Sequence, residues 1–199
     1  MGFLTEPIED IVRIGKRKYC INAAFDVVLD VQRLYREELP DVIKLDQALK
    51  MFGIKKPERI ALPIRSDLLN DIYKNCVNTK QRPPVKQQLP VFDFEEDAEY
   101  IYASFMLDYG IDLIDVQGQL HWKKFIALFQ GLSERTKIRE VMRIRGMEIP
   151  RYNGRNQKQI QEIQELKSYY ALPVKGGGGQ QGLDALFSAL EAQAVKEGR

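Results

Sequence analysis

Between Val91 and Asp115 the chain reads VFDFEEDAEYIYASFMLDYGIDLID, with eight carboxylates and no Lys or Arg. A run of that kind has three outcomes: it chelates a cation, it supplies a catalytic acid pair, or it starts a helix. A calcium loop needs oxygens at its first, third and fifth positions, glycine at the sixth and a bidentate glutamate at the twelfth. Asp93, Glu95 and Asp97 meet the first requirement, but Ala98 stands at the glycine position and Ser104 at the glutamate position. A helix accounts for more of the stretch. Asp93 is a good N-cap, with Glu96 three residues on as a capping box requires. Glu95, Glu96 and Asp97 fall in the first turn, where exposed amides favour negative charge. Phe94, Ala98, Ile101, Tyr102, Phe105 and Tyr109 then form one apolar stripe, and Gly110 is placed as the stop. At about 100° per residue, Glu95, Glu96 and Glu99 spread over the solvent face while Asp97 falls to the other flank. They do not converge as a catalytic pair must.

Charge is segregated along the chain although it nearly cancels overall, at +2. The acidic block is followed, over residues 116–175, by twelve basic and five acidic side chains. An acidic block beside a basic one suits head-to-tail self-association or an internal salt-linked contact. A hydrophobic content of 44% is ordinary for a globular protein, and no apolar run is long enough to cross a membrane. Cys20 and Cys76 form no CxxC pair and are expected as reduced, mostly buried thiols in a soluble cytoplasmic protein.

The rest of the pattern is helical after a short β start. DIVRI and KYCIN alternate around GKR, which predicts a hairpin turning at Gly15. Asn22 is placed to cap a helix from Ala23 to about Glu38, with Phe25, Val28, Leu29, Gln32 and Tyr35 inward. Asp41 caps another, carried by Val42, Leu45 and Leu49 to a stop at Gly53. Pro57 and Pro63 mark a connector, and Ser66 caps the next helix. Residues 78–90 read as an exposed, basic, proline-interrupted loop. Helices are then expected from about Gln119 to Gln130, after a cap at Ser133, and from about Asn156 to Tyr170. The expected fold is mainly α: a single helical domain over residues 1–173 with a small N-terminal β-hairpin. A glycine-rich flexible tether at 174–182 and an amphipathic C-terminal helix at 183–199 follow it.

Other chemistry finds little support. His121, the lone histidine, has no HxxxH or HExxH companion for a metal. Lys175 to Gly179 offer glycines, but no GKS or GKT follows, and GxSxG is absent around Ser133. Lys137, Arg139, Arg143, Arg145, Arg151 and Arg155 make a basic run. Ile138, Val141 and Met142 interrupt it with core positions, so a protein-binding face is expected before a nucleic-acid groove. Trp122, Phe125, Ile126 and Phe129 form a broad apolar face. Leu183, Leu186, Phe187, Leu190 and Ala194 fall at helical spacing on a segment too short to be stable alone. That stripe must dock on the main domain, another copy or a partner's groove.

Several of these stretches together resemble one bacteriophage family. LTEPI, VRIGKRKYCIN, FDFEEDAEYIYASFMLDYGIDL, LHWKKFIALFQGLSERTKIREVMRIRGMEI and YYALP are similar, in order and spacing, to the gene-product-fifteen proteins of siphophages of Gram-positive bacteria. The resemblance covers most of residues 3–173. It implies a protein encoded among tail genes beside the tape measure protein, the position of tail assembly chaperones, with no known enzymatic activity. Such chaperones coat the tape measure, recruit tail tube subunits and leave before the tail is finished. Many exist in two lengths through ribosomal frameshifting. A slippery codon run under Lys175 to Gly179 would suit that, and the coding DNA tests it.

The expected function is therefore a tail assembly chaperone that binds the tape measure protein and self-associates. Trp122, Leu183, Leu186, Phe187 and Leu190 are the candidate partner-binding residues. Glu95, Glu96 and Glu99 are expected to meet Arg139, Arg143 and Arg145 of a neighbouring copy. The tail tube protein is a further candidate partner. No cofactor, metal, membrane or nucleic acid is expected. The expected location is the cytoplasm of the infected or lysogenic host, with the protein absent from the virion. The alternative is a virion structural component, such as a head–tail connector or tail completion protein. A nucleic-acid-binding regulator ranks below it.

Overall fold

The computed structural model describes residues 5, 7–15, 17–78 and 91–173. The first elements are two short antiparallel strands, β1 (Ile11–Ile14) and β2 (Arg17–Cys20), with Ile11 opposite Cys20 and Ile14 opposite Arg17. Gly15 turns between them at φ +57°, as the alternation predicts. Helices α1 (Phe25–Arg36), α2 (Asp41–Met51) and α3 (Leu62–Ile72) follow, and α3 widens into a π-turn over Tyr73–Val77. After residue 91 come α4 (Ala98–Tyr109), α5 (Trp122–Gln130), α6 (Lys137–Gly146) and α7 (Gln157–Tyr169). The mainly α fold with one N-terminal hairpin is as expected. The 79–90 part of the expected loop, the tether and the C-terminal helix lie outside the described residues.

Local chemistry explains most helix ends. At the end of α2, Gly53 sits at φ +93°, its N–H donates to Lys50 O, and Ile54 N–H donates to Leu49 O, both at 2.9 Å. This is the 5→2 and 6→1 pair of a Schellman stop, which a left-handed glycine permits. Other boundaries depart from expectation. Pro63 lies in the first turn of α3 rather than in a connector, because a proline there gives up an amide that has no partner anyway. Ser66 consequently lies inside α3. The helix expected to be capped by Ser133 begins at Lys137 with Thr136 as N-cap. Ser133 instead donates its N–H and hydroxyl to the Asp108 carboxylate, at 2.6 and 2.9 Å.

The described residues gather into two compact units. The first holds the hairpin, α1, α2, α3 and α5. Phe25 of α1 stacks on Phe125 of α5 at 4.8 Å, and Trp122 stacks on the same Phe125 at 5.7 Å. Val28, Val31, Leu34, Leu49, Leu68, Leu69 and Ile72 complete a core of close-packed aliphatics. The inward stripe of α1 is therefore Phe25, Val28, Val31 and Leu34, not the arc through Leu29, Gln32 and Tyr35. Both α2 and α5 pack on α1, and the buried arc faces between them. On α2, Val42 is 47% exposed and the inward residues are Leu45, Ala48 and Leu49. Two backbone bonds bind the start of α5 to the start of α1: Trp122 N–H to Ala23 O (2.8 Å) and Phe25 N–H to Leu120 O (2.9 Å).

The second unit holds α4, α6 and α7. Ile101 and Phe105 of α4 and Ile138, Val141 and Ile144 of α6 supply its core, with Phe94 and Leu132. Helix α7 packs on α6 but buries no residue completely.

Candidate functional site

Helix α4 begins one turn later than expected, at Ala98 with Asp97 as N-cap, and the expected cap Asp93 closes the turn before it. Asp93 Oδ1 accepts the amides of Glu95 (2.8 Å) and Glu96 (3.2 Å), the second and third positions of the turn that it caps. The reciprocal bond of a capping box is present, but it comes from Asp97 and not from Glu96: Asp93 N–H donates to Asp97 Oδ2 at 2.9 Å. Asp97 is 1% exposed. Its carboxylate also takes a two-pronged contact from Arg145, NH1 to Oδ2 at 2.6 Å and NH2 to Oδ1 at 2.8 Å. The same guanidinium donates to Tyr170 O (2.6 Å) and Val91 O (3.1 Å). Planar, five-donor geometry suits arginine to such a hub, which ties the cap of α4, the end of α6 and the segment after α7 together.

That arrangement corrects the expected basic face. Arg145 is an internal residue, its side chain 9% exposed, and is not available to a neighbouring copy. Arg139 is occupied by Glu134, at 2.6 and 3.2 Å, in a pair open to solvent. Arg143 is exposed. Two residues further round the helix is about 200°, so Arg143 and Arg145 point to nearly opposite sides. Glu95, Glu96 and Glu99 are exposed, as expected. Trp122 is 1% exposed and serves as core of the first unit, so its ring is not presented to a partner. Leu183, Leu186, Phe187 and Leu190 lie outside the described residues.

One feature escaped sequence reasoning. Helix α4 is apolar on both sides. Its inward side carries Ile101, Phe105 and Ser104, whose hydroxyl donates to Tyr100 O (2.6 Å) and accepts Ile138 N–H (3.2 Å). Its outward side carries Ala98, Glu99, Ala103, Met106 and Leu107, ending at Gly110. Met106 is 40% exposed and Leu107 66%. A helix apolar all round is normally buried all round. The signal was present in Tyr100 to Leu107, eight residues without a charge, which is more than two turns. Among the described residues no group of three or more His, Cys, Asp and Glu could hold a metal ion, and no helix is long and apolar enough to cross a membrane.

The model of the family described as Bacteriophage Gp15 protein matches residues 4–172. This chain belongs to that family. Membership points to a phage structural or assembly protein. No curated protein matches the chain, and no solved structure matches it.

In this Gp15-family chain the lone histidine has a structural place. His121 Nδ1 accepts the Lys123 N–H at 3.0 Å, acting as a side-chain cap at the start of α5. Its Nε2 lies 3.2 Å from Asp10 Oδ1, within ion-pair distance. Burial pushes the imidazole pKa below its ordinary value; Asp10 opposes this in part, and Lys123 and Lys124 add to it. Protonation would turn the Nδ1 acceptor into a donor facing an N–H and place positive charge at a helix N-terminus. The folded form thus binds a proton less readily than the unfolded form. The associated stability is whole above the unfolded pKa of about 6.5 and is lost as pH falls toward the lowered folded value. Urea midpoints measured from pH 7.5 down to pH 5 should decline in the parent protein and decline less in His121→Gln. Equal slopes in the two proteins would remove His121 from the account.

Proposed function

We propose that this protein is a tail assembly chaperone of a long-tailed phage, which holds helices of the tape measure protein through an apolar helix face. The observation that carries this reading is α4. In a chain of a phage family, it leaves Ala103, Met106 and Leu107 exposed on a helix already apolar on its buried side. A helix laid on that face buries methionine and leucine side chains at about 25 cal/mol per Å². Methionine adapts to varied partners, which suits a client with many similar helices. Leu183, Leu186, Phe187 and Leu190, outside the described residues, fall at helical spacing in the sequence and are further partner-binding residues in this reading. The exposed Glu95, Glu96 and Glu99 favour basic neighbours, either on the client or at Arg139 and Arg143 of another copy. The reading places the protein in the host cytoplasm during assembly and outside the finished particle.

Co-expression with the tape measure protein tests it. The parent protein should co-purify with the tape measure and keep it soluble, and Met106→Glu combined with Leu107→Glu should abolish both effects. Those substitutions lie on solvent-facing positions, so circular dichroism of the variant should be unchanged. A tape measure that stays insoluble beside the parent protein, or detection of this protein in purified particles, overturns the chaperone reading in favour of a virion component.

A further inference from the structure

We propose that the open edge of β2 takes on a further strand from a partner protein, an extended segment with two consecutive acidic residues set beside Arg17 and Lys18. This surface lies in the first unit, and it stands apart from the chaperone reading of α4.

The register of the hairpin defines the edge. Ile21 N–H donates to Asp10 O at 2.9 Å, so those two residues form a hydrogen-bonded pair. Bonded and non-bonded pairs alternate along an antiparallel ladder. Arg13–Lys18 and Ile11–Cys20 are therefore non-bonded pairs, while Val12–Tyr19 is bonded. Residues of a non-bonded pair turn their N–H and C=O groups away from each other, so Lys18 and Cys20 present theirs to the outer side of β2. Among the described residues no backbone group bonds to them. Strand β1 packs on α3, whereas Arg17, Lys18 and Cys20 are exposed, the last against the expectation of a mostly buried thiol. Two outward N–H and two outward C=O groups are what a further strand needs, at about 4.7–4.9 Å from β2.

Charge decides which strand fits. Four of the six residues from Arg13 to Lys18 are basic. Arg13 stands directly opposite Lys18 in a non-bonded pair, where side chains come closest and like charges cost stability. Arg13 reaches Glu9 at 3.6 Å, with both side chains more than half exposed. Arg17 and Lys18 have no ion pair among the described residues. Cations on an edge reject a second copy of the same strand, which brings the same cations with it. An acidic strand turns that repulsion into attraction. Successive side chains point to opposite faces, so Arg17 and Lys18 flank an incoming strand on both of its faces. The two partner residues beside them are therefore acidic, and uncharged residues suit the positions beside Tyr19 and Cys20. A two-stranded ribbon is marginal alone, and a third strand supplies pairing that it lacks.

The test uses the full chain labelled with nitrogen-15 and a capped hexapeptide, Thr-Val-Glu-Glu-Thr-Val, with amide hydrogen exchange read residue by residue. Exchange at the Lys18 and Cys20 amides should slow about tenfold when free peptide is about ten times its Kd, as titrated in the same spectra. The gain should be smaller at Tyr19, whose amide is already bonded within the ladder. The same peptide with lysine in place of glutamate should protect neither amide. Arg17→Glu combined with Lys18→Glu should reverse the preference, so that the lysine peptide protects residues 18 and 20 and the glutamate peptide does not. Both positions are exposed, and circular dichroism checks that the fold is kept. Absence of slowing with the glutamate peptide overturns the proposal, and so does equal slowing by the two peptides. A duplex DNA that shifts the hairpin signals without protecting Lys18 and Cys20, while the peptide does nothing, overturns it in favour of a phosphate-binding ribbon.

Discussion

An Arg145→Ala protein is expected to lose about 3–5 kcal/mol of unfolding free energy, among the largest effects available to a single polar side chain here. The cost comes from what remains. Asp97 is 1% exposed and would be left as a buried carboxylate without its cation, while Tyr170 O and Val91 O would lose their donor. Arg145→Lys should recover only part of the loss, because an ammonium cannot make the two-pronged contact and reach both carbonyls. Removing the pair together, as Asp97→Leu with Arg145→Met, should cost much less than Arg145→Ala, since two buried charges disappear at once. The internal reference is Arg139→Ala. That arginine also bonds a carboxylate, Glu134, but the two side chains are 32% and 71% exposed, and exposed pairs contribute about 0–1 kcal/mol. Urea titrations followed by far-ultraviolet circular dichroism separate the two. If Arg145→Ala costs no more than Arg139→Ala, the hub is not what holds α4, α6 and the segment after α7 together.

The second large effect belongs to the other unit. Phe125→Ala should destabilise by about 3–5 kcal/mol, the range for removing a fully buried aromatic ring. Phe125 is 1% exposed and stacks on Phe25 at 4.8 Å, Trp122 at 5.7 Å and Phe129 at 6.4 Å. Removing it opens a cavity between α1 and α5 beside the only tryptophan. Fluorescence of Trp122 should therefore shift to the red in the folded variant, before any denaturant is added. Phe125→Leu, which keeps most of the volume, should cost clearly less. A solvent-side control such as Tyr152→Ala, at a residue 65% exposed, should stay within about 0.5 kcal/mol. A Phe125→Ala midpoint indistinguishable from that control would show that the stack does not support this unit.

The two experiments fall on opposite sides of what could be read in advance. Phe25 and Phe125 each lay on an apolar stripe, so burial of both was legible, although their stacking on one another was not. Arg145 looked like its neighbours Arg139 and Arg143, one more base on an exposed helix. Its partner Asp97 lies 48 residues away, and nothing in either local pattern names the other. Asp97 was placed on the opposite flank from Glu95, Glu96 and Glu99, which is right, but that flank turned out to be the interior. The outward face of α4 was missed for a different reason. The inward stripe alone satisfies helical periodicity, and periodicity carries no information about the opposite face. The uncharged run from Tyr100 to Leu107 carried the answer.

By itself the sequence determined the features that depend on a few neighbouring residues: the turn at Gly15, the left-handed stops at Gly53 and Gly110, the cap at Asp93, and the mainly helical class with one hairpin. These follow from backbone sterics and amide bonding within a turn or two, and they survive whatever the rest of the chain does. Family membership was legible for the same reason, since ordered local motifs carry it. Tertiary structure alone decided that Asp97 and Arg145 form the internal hub, that Trp122 is core, that Thr136 rather than Ser133 starts α6, and that α4 keeps an apolar face in solvent. Each of those depends on which distant side chain shares the same low-dielectric space. Burial and long-range pairing are properties of the packed chain, and no local pattern contains them.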